Sequence, residues 1–457
     1  MKKCKLLLAI VVIASLLTLW NPLGFTFKQQ MLTGTLLMVV PFWATNVIHK
    51  SYSCGILLLS YFLFGSTPQE QIYQFVWSDT NLLIISTTLL SVGMMKTGVV
   101  HRVVESLLKY CAKRMLLLLI LPYILGIALV FVIPQAFARV IILGVILDGL
   151  LIAKKAGQER VKAILIFNAF VGVSVAYMLF SNGDIVLNVS AITFAGKELG
   201  AHFTFLNWFL WMAIPVLVTA VLTIMLTRLL FKKELEQFSV DMITQTTQHN
   251  QHISRHVQIG SIVIMAGVIA SWMSQHIHHI QPWVFATIAV VVLYAFKVLE
   301  YKDLSSVNVH FILFLLTVFN IGKVLGQSGV TKIVFEHLQQ LIPQNQSIFY
   351  SIIIVFVIMI LHLCIGSSVA TMSVVLPILI PLMESAGYSG IIVVLMTYVI
   401  VNIHFMLPFH HAVMMMGIGK SYYTEKDLLR YGSVMTFVTP ILILGVYFGW
   451  WSLLGLI

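Results

Sequence analysis

The sequence predicts an all-α integral membrane protein, with about 11 transmembrane helices plus two re-entrant helical hairpins in an inverted-topology repeat. Three observations predict it. Of 457 residues 60% are hydrophobic and 9% charged, with a mean hydropathy of +0.99, a composition foreign to soluble domains. Apolar runs long enough to cross a hydrocarbon core as helices recur along the chain, which excludes a barrel of short alternating strands. Two of these runs are interrupted by residues that lipid rejects, and the interruptions keep a common spacing. The net charge of +11 does not imply a nucleic-acid partner, because Lys and Arg lie mostly between the apolar runs, where they orient the chain in the bilayer.

The elements follow in order. An N-terminal segment, 1–30, holds an apolar run at 6–20 behind Lys2, Lys3 and Lys5. It is read as an uncleaved helix, since no small-residue cleavage site precedes the next run. The first repeat, 31–231, has runs near 31–48, 53–65, 81–95, 163–196 and 203–231, with a longer stretch at 115–153. Lys113 and Arg114 precede that stretch, and Lys154, Lys155, Arg160 and Lys162 follow it, so both ends favour the cytoplasm. Its centre carries Pro134, which interrupts a helix, and Arg139, which is costly in lipid. A hairpin with its tip inside the protein satisfies both facts. A polar cytoplasmic linker, 232–256, separates this half from the second repeat, 257–457. There the runs lie near 257–274, 282–298, 308–325, 391–416 and 433–457. The stretch 348–386 is broken at Gly366–Thr371, and neither end has a nearby Lys or Arg, so this second hairpin is expected to enter from outside.

This topology places Lys28, Lys197, Lys323 and Lys332 outside, Arg139 at a hairpin tip and the rest of the 27 Lys and Arg inside. The N-terminus is then cytoplasmic and the C-terminus outside, in a multi-pass protein of the plasma or inner membrane. The four cysteines are scattered singly, which predicts neither disulfides nor structural zinc. The halves are related: Thr97–Glu105 (TGVVHRVVE) recurs as Ser328–Glu336 (SGVTKIVFE) at an offset of 231 residues. The same offset takes Pro134 to Ile365, beside the second tip, and Ser181 to Ala412, beside a second break. One copy meets the membrane from inside and the other from outside, an architecture associated with secondary transporters.

Polar residues within the membrane are expensive, and each is a functional candidate. They gather at the two tips and at two helix breaks, SNGD at Ser181–Asp184 and PFHH at Pro408–His411. A broken helix offers N–H groups to an anion and carbonyls to a cation. Gly183 is expected to permit an unusual backbone there. Ser367, Ser368, Thr371, Arg139 and Gln135 are the candidate substrate residues, Arg139 because a guanidinium grips carboxylate or sulfate with a bidentate fork. Its alternative role is an ion pair with Asp148 or Asp184. Ser181, Asn182, Gly183, Asp184, His410 and His411 are the candidate coupling-ion residues. Asp184 is the candidate Na+ ligand, and the histidines, with His404, are candidate proton carriers.

A family resemblance is carried by LLSVGMMKTGVVHRVVE at Leu89–Glu105, by the two broken hairpins, by GSSVATMSVVLPI at Gly366–Ile378 within the second of them, and by FMLPFHHAVMMMGIGKSYYTEKDLLRYG at Phe405–Gly432. Over essentially its whole length the chain resembles the divalent anion:sodium symporter family of dicarboxylate, citrate and sulfate carriers. The resemblance implies a Ser-Asn-Thr motif at each tip that meets substrate carboxylate while neighbouring backbone holds sodium. It also implies a homodimer and an elevator-like motion. Ser367 matches the motif's Ser and Thr371 the Thr that commonly follows, whereas Ser368 and Val369 stand where the family has Asn and Thr. Pro134, Gln135 and Ala136 occupy the first motif.

The expected function is therefore secondary active transport of a small divalent or carboxylate anion, with Na+ as the candidate coupling ion, no other cofactor, and the lipid bilayer as surroundings. The alternatives are an anion exchanger, a proton-coupled carrier or a passive anion channel. An enzyme is not expected, because His410 and His411 lack an H-E-x-x-H helix, a Gly-x-Ser-x-Gly elbow or a neighbouring carboxylate.

Overall fold

A computed structural model of the chain describes residues 2–45, 47–111, 114–153, 155, 157–243, 254–340 and 347–457. Among them the structure is helical, with no β-strand and an isolated bridge between Leu151 and Ile243. That is the expected outcome for apolar segments, since a backbone without water must satisfy its N–H and C=O groups internally. Eight helices among the described residues are long and apolar enough to cross a membrane, and shorter apolar helices such as Lys50–Phe64 and Pro282–Ala295 accompany them. The eight include both arms of the second hairpin and six of the expected 11 spans; the run at 391–416 is not among them because a break divides it into Gly390–Ile403 and Ala412–Gly419.

Both interrupted stretches form helical pairs. The first pair is Met115–Val130 and Ala136–Leu150, joined by a turn containing Pro134, with Gln135 as an extended N-cap. The second is Ile348–Ile365 and Ser368–Ser385. Gly366 ends its first arm in the left-handed region, at φ +68°, and its N–H returns to the carbonyl of His362 at 2.9 Å. A side chain at Gly366 would also press on Phe409 and Ala44.

Elements recur across the two halves. Gly98 and Gly329, 231 positions apart, both take left-handed backbone before a short amphipathic helix, Val99–Cys111 or Val330–Gln339. The first hairpin packs on Gln158–Ala176, and the second packs on Gly390–Ile403. The continuation of each broken helix then crosses over: Ile185–Phe194 lies against Ser368–Ser385, and Ala412–Gly419 against Ala136–Leu150. In the surrounding layer, Pro282–Ala295 packs along Asp79–Lys96, as Lys50–Phe64 packs along Val309–Phe319.

The halves are also tied at one end by charge. Arg160 holds Asp427 with both arms of its guanidinium, at 3.1 and 2.6 Å, and Asp427 closes a capping box with Thr424. Arg430 donates to Glu234 at 2.8 Å and lies over the Phe231 ring. The start of the linker is anchored here too, with the Ile152 N–H donating to Met242 O at 2.7 Å; linker residues 244–253 lie outside the described residues.

Each arm of the second hairpin has 18 residues, enough by length to span a bilayer. Sidedness therefore distinguishes a re-entrant hairpin from two crossings. Single cysteines at positions 113 and 155 are expected to be labelled from the cytoplasm, and at positions 345 and 388 from outside; 113 and 345 lie outside the described residues. Labelling of 113 and 155 from opposite faces would remove the first hairpin and the inverted orientation with it.

Candidate functional site

The two tips and two breaks meet in the interior. At the first tip Arg139 is completely buried. One terminal nitrogen donates to the carbonyl of Gly183 and the other to that of Gly126 at 3.4 Å, while Nε has no partner. Asp184, 2% exposed, is the N-cap of Ile185–Phe194 and accepts from the Val186 N–H at 3.3 Å. The backbone N–H groups of Ala136 and Leu187 also face its carboxylate, and Arg139 opposes it as the compensating charge. Asp184 thus sits where two helix N-termini, including that of the first hairpin's second arm, present positive ends.

At the second tip the chemistry is neutral. Ser368 Oγ donates to Val401 O at 2.9 Å and to His410 O at 3.2 Å, one carbonyl from each side of the second break. Thr371 Oγ1 returns to Ser367 O at 2.8 Å and contacts His362 Nδ1 at 3.0 Å. His410 Nδ1 accepts the N–H groups of Met406 and Leu407, both at 3.2 Å, so it holds the turn before its own helix. His411 has the same place and backbone in its half as Asp184 in the first. Both are N-caps, with φ, ψ of −133°, 114° and −140°, 113°.

Hydrogen bonds join the breaks across the halves. Tyr177 Oη donates to Asn402 Oδ1 and lies 2.9 Å from His411 Nε2. In the reverse direction Tyr398 Oη donates to Asn188 Oδ1 at 2.7 Å. Each asparagine also donates to backbone of its own half: Asn188 to the carbonyls of Tyr177 and Phe180, Asn402 to that of Tyr398. The result is a reciprocal Tyr–Asn exchange between the halves, which gives these buried polar groups protein partners.

The family described as the sodium:sulfate symporter transmembrane region matches residues 1–457. The chain belongs to the sodium:sulfate symporter family. It is accordingly a multi-pass membrane transporter of the secondary type that handles anions. Among solved structures it is similar to the YdaH transporter of Alcanivorax borkumensis, described as having an unusual topology. The TM-score is 0.56 at 13% identity, over 94% of this chain and 99% of that one, a likeness of fold. No curated protein matches the chain.

Within this transporter, the expected site residues divide into those that converge and those that do not. Arg139, Gly183, Asp184, Ser368, His410 and His411 converge at the tips and breaks. Gln135 instead donates to Thr88 on Asp79–Lys96, so it fastens the first tip to the surrounding layer. Ser367 is the extended N-cap of the second arm, and its hydroxyl makes no cap bond. Ser181 is half-buried, whereas Asn182 is buried with both amide atoms unpartnered. Asp148 pairs with Lys162 at 2.7 Å, so of the two acids considered for Arg139 it is Asp184 that faces it. Gly183 does not occupy the left-handed region. The break needs glycine there for close approach, since a side chain would run into the Tyr177 carbonyl. Among the described residues no three of His, Cys, Asp and Glu are grouped to hold a metal ion.

Tyr177, Tyr398 and Thr88 were missed by sequence reasoning, because a tyrosine or threonine in an apolar run looks like ordinary core. Pairing each tyrosine with a buried asparagine of the other half, Tyr177 with Asn402 and Tyr398 with Asn188, is the signal that could have found the first two.

Proposed function

We propose that this symporter moves a small divalent or carboxylate anion, such as a dicarboxylate, citrate or sulfate, between its two hairpin tips, driven by sodium. The observation that carries this reading is the convergence of the first tip and both breaks on buried polar atoms without partners: the donors Arg139 Nε and Asn182 Nδ2, with Asn182 Oδ1 and His411 Nδ1 beside them. Unpartnered buried donors are costly unless a ligand satisfies them. An anion bound to N–H donors in a dry site replaces its hydration shell with fixed dipoles. For sodium, Ser368 Oγ and the carbonyls of Val401 and His410 are oxygen donors already gathered at the second tip. A homodimer, an inverted orientation of the halves and an elevator-like displacement of the hairpins complete the proposal. The crossed packing of each broken helix on the other half's hairpin supports movement of these elements as one body.

The test is uptake into proteoliposomes of sulfate, succinate, malate or citrate against a gradient, with sodium or choline outside. Accumulation against a gradient excludes a channel, and sodium-independent accumulation that follows an imposed pH gradient would replace sodium with protons. Thermal stabilisation by the same anions gives an independent measure of binding, since a ligand bound only by the native state raises stability.

Ser367→Ala is expected to weaken anion binding by roughly ten- to a hundredfold, the value of one hydrogen bond to a charged ligand, about 1.5 to 3 kcal/mol. Ser368→Ala should raise the sodium concentration for half-maximal uptake by a similar factor. Thr371→Val should do less to binding, because that hydroxyl already bonds its own helix and His362. Unchanged binding and sodium activation in both serine variants would reduce the second tip to a packing element.

A further inference from the structure

We infer that Arg139 is a tethered cation occupying the carbonyl site of the first half, so that only the second half takes a cation from solution. The inference deepens the proposed sodium-coupled function and rests on it. In each half a hairpin side chain binds carbonyl oxygen of the adjoining break. In the second half that side chain is Ser368, a neutral hydroxyl, which can turn its lone pairs to an incoming ion and release the carbonyls of Val401 and His410.

In the first half the break carbonyl of Gly183 is taken by Arg139, which also donates to the Gly126 carbonyl on the hairpin's own first arm. A guanidinium has donors only and keeps its charge in proteins, so it neither yields the carbonyls nor tolerates sodium beside it. Asp184 does not fit a sodium site either. Its carboxylate accepts the Val186 N–H and faces those of Ala136 and Leu187, so its neighbours are donors where a hard cation needs oxygens. Arg139 acts on it as an opposite charge without direct contact between the charged groups, and both residues are at most 2% exposed. The first half therefore does not suit sodium as it stands: it carries its own cation and counter-anion on the chain.

The experiment uses the full-length protein, purified and in proteoliposomes. In the wild type, sodium should activate anion uptake along a hyperbolic curve, and a few millimolar guanidinium should change neither uptake nor the unfolding temperature. Arg139→Ala vacates the carbonyls and leaves Asp184 unmatched. Its uptake should fall at least about tenfold and recover by a similar factor with guanidinium. Its unfolding temperature should rise with guanidinium or sodium over choline by more than that of the wild type. The double variant Arg139→Met with Asp184→Asn removes both charges and should fold without the added cation response.

A folded Arg139→Ala protein indifferent to both cations would overturn the inference. So would a sigmoid sodium curve in the wild type that Arg139→Ala leaves unchanged. If Arg139→Ala does not fold even with guanidinium, a hyperbolic wild-type curve supports the inference and a sigmoid one refutes it. Anion stabilisation absent from every folded variant would instead sink the carrier function, and the cation responses would still be readable by unfolding temperature.

Discussion

Asp184→Asn is expected to destabilise the protein by about 1 to 3 kcal/mol, because it removes the opposite charge that acts on the buried Arg139 guanidinium. The asparagine amide can still cap Ile185–Phe194 through its oxygen, so the substitution isolates charge from capping. What remains is Arg139, completely buried, with two carbonyls and no anion facing it. Carbonyl dipoles do not compensate a full charge in a low-dielectric interior. Thermal unfolding of purified protein and the yield of monodisperse material measure the effect. Wild-type stability in Asp184→Asn would show that Arg139 is balanced from elsewhere. Uptake by the surviving fraction, with sodium replaced by choline and then with an imposed pH gradient, also tests coupling. A pH-driven component lost in Asp184→Asn would assign proton movement to this carboxylate.

Gly183→Ala should be at least as damaging, for a reason of volume. The added methyl would overlap the carbonyl of Tyr177 and press on that of Phe180 at 2.9 Å. Neither carbonyl can yield cheaply. Asn188 Nδ2 donates to both, at 3.1 and 2.7 Å, and Gly183 N–H donates to Phe180 O at 2.8 Å. The break must open, and with it the carbonyl that holds Arg139. We expect a loss of about 3 kcal/mol or more, at the upper end for overpacking a rigid site, together with loss of transport. Gly260→Ala is the control. That helical position has open space around it and should be neutral or slightly stabilised. Equal behaviour of the two alanine variants in unfolding and uptake would show that the break adapts freely.

Much of the architecture was legible because a membrane makes polar residues conspicuous. Pro134 and Arg139 in one apolar stretch, and Gly366 to Thr371 in another, marked the turns that the structure places at 131–135 and 366–367. Ser181–Asp184 and Pro408–His411 likewise marked the two helix breaks. The histidines were legible as polar positions, but their contacts were not. His410 holds a turn through two N–H groups, and His411 meets Tyr177 from the other half of the chain. Gln135 was equally visible, yet it bonds Thr88, 47 positions earlier, away from the place where the tips meet.

By itself the sequence determined that the chain is helical and membrane-embedded, and where its helices stop. Those properties are local: a run of apolar residues, a proline or a glycine acts on its own backbone wherever the remainder of the chain lies. The tertiary structure alone decided which polar groups satisfy one another. Tyr177 reaches Asn402 across 225 positions and Tyr398 reaches Asn188 across 210, while Arg139 turns to Gly183 and Gly126 and away from Asp148. A buried donor that is satisfied takes whichever acceptor the packing brings within about 3 Å, and that choice depends on how helices cross.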